Sequence, residues 1–200
     1  MLAFLLASMA LTISPGPDIL YVLAQSISNG RKFGIAVALG LVSGIIVHTS
    51  LIALGISTFI RQSEFLFLAI KICGAAYLLW LAYQVFKSKA TVAISGTRQP
   101  LKGWWSLVRQ GFLMNVLNPK VTLFFLAFFP GFIEESRGGV LQQIYLLGFV
   151  FIVQAFIIFV LVSWIADRLT VLLRTNDRFA FYLKWLQIVV FIGIAVMILT

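Results

Sequence analysis

Ser14-Pro15-Gly16-Pro17-Asp18 interrupts an otherwise apolar N-terminal stretch. Two prolines flanking a glycine cannot continue an α-helix. Pro15 and Pro17 lack the N–H groups that would bond the carbonyls of Leu11 and Ile13, and Gly16 leaves the backbone loose. Both flanks, Met1 to Ile13 and Ile19 to Ala24, are nevertheless as hydrophobic as a membrane span. A break facing lipid would expose unpaired backbone, so this one must face protein or a polar cavity. The rest of the chain is read as the housing for that break.

Of the 200 residues, 62% are hydrophobic and 10% charged, and mean hydropathy is +1.07. Soluble domains average about 25% charged residues, so this composition is that of an integral membrane protein. Short loops between spans leave no room for a soluble catalytic domain. The net charge of +9 comes from basic residues between apolar blocks; it fits membrane orientation rather than nucleic-acid binding. A single cysteine, Cys73, excludes an intramolecular disulfide or a paired-thiol relay and is assigned to packing. Ala7-Ser8-Met9-Ala10 loosely resembles a signal-peptide cleavage site. No basic region precedes it, and apolar sequence resumes after Asp18, so a retained first span is expected.

About 20 apolar residues cross a bilayer core of about 30 Å. On that basis the chain is expected to be all-α and polytopic, with six transmembrane helices at about 1–26, 33–60, 65–86, 111–133, 140–166 and 179–200. A first three-helix half (1–86) and a second (111–200) flank a basic loop (87–110), forming one membrane domain. Eleven basic residues fall in one set of loops: Arg31, Lys32, Lys87, Lys89, Arg98, Lys102, Arg109, Arg168, Arg174, Arg178 and Lys184. The alternate loops hold Arg61 and Arg137, offset by Glu64, Glu134 and Glu135. The positive-inside rule then predicts an N-out, C-out chain. Trp104, Trp105, Trp164, Tyr182 and Trp185 form an aromatic belt at the inner boundary.

Three spans on each side of the loop make the halves opposite in orientation, a 3+3 inverted repeat. An offset of 104 residues pairs Pro15 with Pro119, Gly34 with Gly138, Gly44 with Gly148, Ser14 with Asn118 and Ser50 with Gln154. The first break thus finds a counterpart in Asn118-Pro119-Lys120. Corresponding breaks in inverted halves mark a transporter's central site. Counting at roughly 1.5 Å per residue from the inner ends of their spans puts Asp18 and Lys120 about 12–14 Å deep, near the midplane.

Pro17 suits the first turn of a resuming helix, and Asn118 suits the cap of a helix beginning at Pro119. The expected outcome is two half-helix N-termini offering N–H groups and positive dipole ends, beside carbonyls freed at Leu11, Ile13 and Asn115. Donors and Lys120 suit a carboxylate, while carbonyls and Asp18 suit an ammonium. A small zwitterion fits, and a small anion or cation would use half of the set. The substrate-binding candidates are therefore Ser14, Pro15, Gly16, Pro17, Asp18, Asn115, Asn118, Pro119 and Lys120. Asp18 and His48 are candidates for proton coupling, with Lys71 and Gln154 as secondary ones.

Each has a structural alternative. Asp18 and Lys120 would neutralise one another, although intramembrane charges cost about 2.5–3.5 kcal/mol each on insertion scales and usually mark function. Lys71 would snorkel to the headgroups, His48 would be a hydrogen-bonded packing residue, and Gln154 and Ser50 would join helices. Gly40 and Gly44 would admit a neighbouring helix closely.

Taken in order, several motifs resemble the LysE/RhtB family of bacterial amino-acid exporters (the homoserine, threonine, leucine and lysine efflux type). They are Ser14 to Asp18, Asn29-Gly30-Arg31-Lys32 with Gly34, Lys71 to Tyr77, Arg109-Gln110-Gly111-Phe112, and Asn115 to Lys120. The resemblance implies an inner-membrane exporter of amino acids or related metabolites, driven by proton exchange. Family members often carry asparagine after Pro-Gly-Pro. Asp18 departs from that pattern, which favours a proton-carrying role here and limits its generality.

Secondary active efflux, with substrate bound between the two breaks and no cofactor, is the expected function. The expected partners are an amino acid or similar zwitterion, protons and the lipid bilayer of a bacterial inner membrane, with a homo-oligomer compatible. A membrane enzyme or redox carrier would need a cysteine pair, a metal cluster or several histidines, and the chain has one Cys and one His. The alternative is a small cation or metal-ion exporter or channel. A lone central carboxylate ligates a hard divalent ion poorly, since such an ion takes about six oxygens, so no metal site is expected.

Overall fold

The computed structural model describes residues 1–14, 16–59, 64–87, 102–166, 168 and 177–199. Every regular element among them is helical. In order they are α1 (Leu2–Ile13), α2 (Pro17–Asn29), α3 (Arg31–Phe59), α4 (Glu64–Lys87), α5 (Trp104–Val116), α6 (Pro119–Leu123), α7 (Val140–Trp164) and α8 (Asp177–Leu199). A π-helical turn (Phe124–Phe128) and a 3-10 turn (Phe129–Phe132) extend α6.

Two uninterrupted stretches, Arg31–Gly55 and Val140–Trp164, are each long and apolar enough to cross a membrane. Two more candidates are bent pairs: α1 with α2 at 56°, and α5 with Pro119–Phe132 at 47°. Both bends occur where proline removes a backbone donor. Ile72–Lys87 and Lys184–Met197 are shorter apolar helices. The fourth apolar stretch starts at Trp104 rather than 111, because Leu107 buries against the core while Trp105 and Arg109 stay exposed. Residues 88–101 of the expected basic loop lie outside the described residues.

Close approaches at glycine set the helix directions. At Gly30, φ of 97° lets the chain turn from α2 straight into α3. A Cβ on Gly34 of α3 would meet Ser163 of α7 at 2.7 Å, and one on Gly148 of α7 would meet Thr49 of α3 at 2.5 Å, so α3 and α7 are antiparallel. A Cβ on Gly40 would meet the Val108 carbonyl and one on Gly44, a turn further along, would meet Asn115, so α5 runs parallel to α3. Since α2 and α3 form a hairpin, the two bent pairs run in opposite directions. Arg31 lies 5.3 Å over the Trp164 ring, fixing one end where α2 and α7 finish and α3 begins, called here the basic end.

The core is aromatic at its centre. Phe4, Phe124, Phe125 and Phe129 are fully or almost fully buried, and Phe4 meets Phe124, Phe129, Phe132 and Phe151 at centroid distances of 5.2–6.4 Å. Edge-to-face and tilted contacts of this kind contribute about 0.5–1.5 kcal/mol each beyond area burial.

Candidate functional site

At the first break, Ser14 closes α1 by donating its N–H to the Ala10 carbonyl at 3.0 Å. Gly16 is extended, and Pro17 opens α2, where a missing N–H costs nothing. At the second, Asn118 caps α6. Its side-chain Oδ1 accepts from the Lys120 N–H at 3.0 Å, and its carbonyl accepts from Val121 and Thr122 at 3.1 and 3.0 Å. Both local expectations from proline and asparagine hold. Pro15 lies outside the described residues.

The breaks meet. Asn118 Nδ2 donates to Asp18 Oδ2 at 3.0 Å, and Lys120 Nζ donates to the Ser14 carbonyl at 3.1 Å. These bonds join residues 100 and 106 positions apart. Lys120 also sits 5.7 Å from the centre of the Phe191 ring, a cation–π contact with α8. A Cβ on Gly16 would lie 3.5 Å from Nζ, so the missing side chain leaves the ammonium against backbone.

Some details differ from expectation. Asp18 and Lys120 form no ion pair within 4.0 Å; the one such pair among the described residues is Arg137–Glu134, on the surface. The N–H groups of the first turn of α6 are already used by Asn118, so that helix end contributes its dipole but not its donors. The Asn115 carbonyl is also occupied, by the Asn118 N–H at 3.0 Å and by His48 Nε2 at 3.2 Å. The carbonyl that receives Lys120 is that of Ser14, which proline counting overlooked.

His48 is buried, with its ring stacked on Phe125 at 5.4 Å and 24°. Its Nε2 must donate, since a carbonyl can only accept, leaving Nδ1 as the acceptor of a neutral ring. Gln154 bridges α7 to α1 through Thr12 Oγ1 at 3.1 Å, and Thr12 passes the chain on to the Ser8 carbonyl at 2.8 Å. Thr12 was missed by sequence reasoning. The Lys71 side chain lies outside the described residues.

Between the breaks is a cavity of about 30 Å³ lined by Thr12, Ser14, Gly16, Asp18, Asn115, Asn118 and Lys120 on the polar side. Ile45, Phe151, Ala155 and Phe159 close the apolar side. This is room for little more than water, well short of an amino acid. Ser14 Oγ, Asp18 Oδ1 and Asn115 Oδ1, all buried, lack a hydrogen-bond partner, as does Gln154 Oε1 next to Thr12. The walls therefore hold an excess of acceptors, and what would satisfy them is a multivalent donor. No group of three or more His, Cys, Asp or Glu that could hold a metal ion occurs among the described residues.

Residues 9–200 match the model of the LysE type translocator family. The chain belongs to that family. Among its relatives is an uncharacterized membrane protein of Vibrio cholerae, 33% identical over 68% of this chain and 66% of that protein. The membrane protein YrhP of Bacillus subtilis is 31% identical over 84% of this chain and 83% of its own length. The homoserine/homoserine lactone efflux protein of Salmonella typhimurium is 31% identical over 72% of this chain and 69% of its own. The aligned stretch thus spans just under two thirds of the Vibrio relative and more of the other two. No solved structure matches the chain. In this LysE type translocator the two breaks and the cavity all fall inside the matched residues.

Proposed function

We propose that this LysE type translocator exports amino acids or their derivatives from the cytoplasm, binding them between the two helix breaks. One observation carries the reading. A pair of opposite charges, Asp18 and Lys120, faces one cavity from two oppositely directed breaks, each hydrogen-bonded to the other break and not directly to its counter-charge. A zwitterion supplies what is missing: an ammonium for Asp18 Oδ1, Asn115 Oδ1 and Ser14 Oγ, and a carboxylate for Lys120 Nζ and the dipole ends of α2 and α6. Because relatives at about 30% identity are named for homoserine and its lactone, those compounds head the list of substrates.

In this reading six spans form two inverted three-helix halves, with both termini outside. The 30 Å³ cavity is the occluded form, and rocking of the halves opens it alternately to either side. Asp18 carries the exchanged proton: with the ammonium gone it takes a proton in place of the substrate, and His48, held at Asn115, stands beside that exchange. The test is efflux of a labelled amino-acid panel from cells with and without the protein, repeated with Lys120→Ala. Export of homoserine that disappears in Lys120→Ala supports the reading. A panel on which the protein and an empty vector behave alike overturns it.

A further inference from the structure

Along α2, Asp18 is followed by Tyr21, Gln25 and Asn29, a spacing of three, four and four residues that puts all four on one face. From Asp18 to Asn29 is about 16 Å at 1.5 Å per residue, about half of a 30 Å bilayer core. The face therefore runs from the central cavity to the basic end, where Arg31 follows. Gln25 is fully buried. Its Oε1 accepts from Asn29 Nδ2 at 2.8 Å, while its Nε2 has no partner. Tyr21 Oη, one turn nearer the cavity, is likewise buried; it lies beside the Gln25 side chain but makes no well-formed hydrogen bond.

Several polar residues around the cavity are paired, although the Thr49 hydroxyl, packed on Gly148, is a further buried group without a partner. Ser26 and Ser163, close by against Gly34, return their hydroxyls to carbonyls four residues back, at 2.7 and 2.9 Å. On the opposite side of the cavity, Thr12 of α1 does the same at 2.8 Å, and Ser8 bonds the carbonyl three residues back at 3.0 Å. That side is filled by the rings of Phe4, Phe124, Phe128, Phe129 and Phe132, packed edge-to-face and tilted against one another. The route out of the cavity is thus walled mainly by aromatic rings in one direction, with the Thr49 hydroxyl among them, and carries Tyr21 Oη and Gln25 Nε2 in the other. An unpaired buried donor is kept at a cost to the fold, which makes sense where a passing acceptor fills it.

We infer that this face of α2 is the loading path from the basic end to the cavity, with Tyr21 Oη and Gln25 Nε2 as a transit subsite for the carboxylate of the incoming amino acid. Two O–H and N–H donors one helical turn apart suit the two oxygens of a carboxylate, and Asp18 ahead of them receives the ammonium. The inference rests on the central cavity being the substrate site.

The test uses single cysteines in a Cys73→Ala background: Y21C and Q25C on the path, with V22C and L23C, buried like Gln25, as controls on the same helix; Tyr21 is partly buried, so Q25C is the decisive comparison. A membrane-impermeant thiosulfonate is applied to each face of sealed vesicles. Labelling of Y21C and Q25C from the basic face, faster than of the controls and slowed by homoserine, is the expected result. Labelling no faster than the controls, or only from the other face, overturns the path. Labelling that homoserine leaves unchanged overturns the carboxylate subsite. Efflux gives a second readout that needs no cysteine: Tyr21→Phe and Gln25→Met each raise the homoserine KM about 3- to 10-fold, the range of one hydrogen bond. Failure of the intact chain to export homoserine counts against the substrate reading alone, since labelling requires no transport.

Discussion

Homoserine and its lactone differ in the group that Lys120 is proposed to hold. Both carry an ammonium, but in the lactone the carboxylate has become a neutral ester. Lys120→Met keeps a side chain of similar length against Phe191 and removes the cation, leaving the Ser14 carbonyl without the donor now 3.1 Å away. A hydrogen bond to a charged group contributes about 1.5–3 kcal/mol. At 1.4 kcal/mol per factor of ten, loss of that bond raises the homoserine KM about 10- to 150-fold. The lactone KM moves less than about threefold, because its ester never used the charge. The assay is uptake of each labelled compound into inside-out vesicles, with protein amount checked in the same preparation. Lys120→Arg does not rescue, since a planar guanidinium is larger than the ammonium now held between the Ser14 carbonyl and the Phe191 ring. Equal loss for homoserine and lactone would refute the assignment and reduce Lys120 to a strut between the breaks.

Asp18→Asn preserves an acceptor for Asn118 Nδ2, so the protein folds, while a pH gradient no longer drives efflux. Gradient-driven transport at the unmodified rate in reconstituted vesicles would remove Asp18 from coupling. Gly40→Ala puts a Cβ 2.0 Å from the Val108 carbonyl oxygen, about 1.4 Å inside ordinary contact, and that oxygen is backbone and cannot swing away. Parting α3 from α5 costs about 1–3 kcal/mol and stretches the 3.2 Å bond from His48 to Asn115, so the thermal midpoint and transport both fall. Gly55→Ala, on the same helix with nothing within 4 Å, leaves the midpoint unchanged or raises it, and thermal scans in detergent compare the two. Glu134→Ala removes the exposed ion pair to Arg137 and shifts stability by less than about 0.5 kcal/mol, as exposed pairs usually do.

Much of this protein is legible because proline, glycine and charge act locally. The breaks at Ser14–Asp18 and Asn118–Lys120, the cap at Asn118, the first-turn role of Pro17 and the close packing at Gly40 and Gly44 all follow from what those residues do to their own backbone. Asp18, Tyr21, Gln25 and Asn29 also share a readable helical spacing, set among apolar neighbours.

The tertiary structure decides what meets across a hundred residues. Helices that are apolar almost all round carry no stripe that says which face turns inward. Sequence spacing therefore could not say that Lys120 takes the Ser14 carbonyl, that Asn118 holds Asp18, or that Gln154 finds Thr12. Nor could it show which polar atoms the packing leaves without partners, since that depends on every neighbour at once. The sequence determined where the chain must break; the packing of α3, α5 and α7 around those breaks decided which charges face the cavity and which do not.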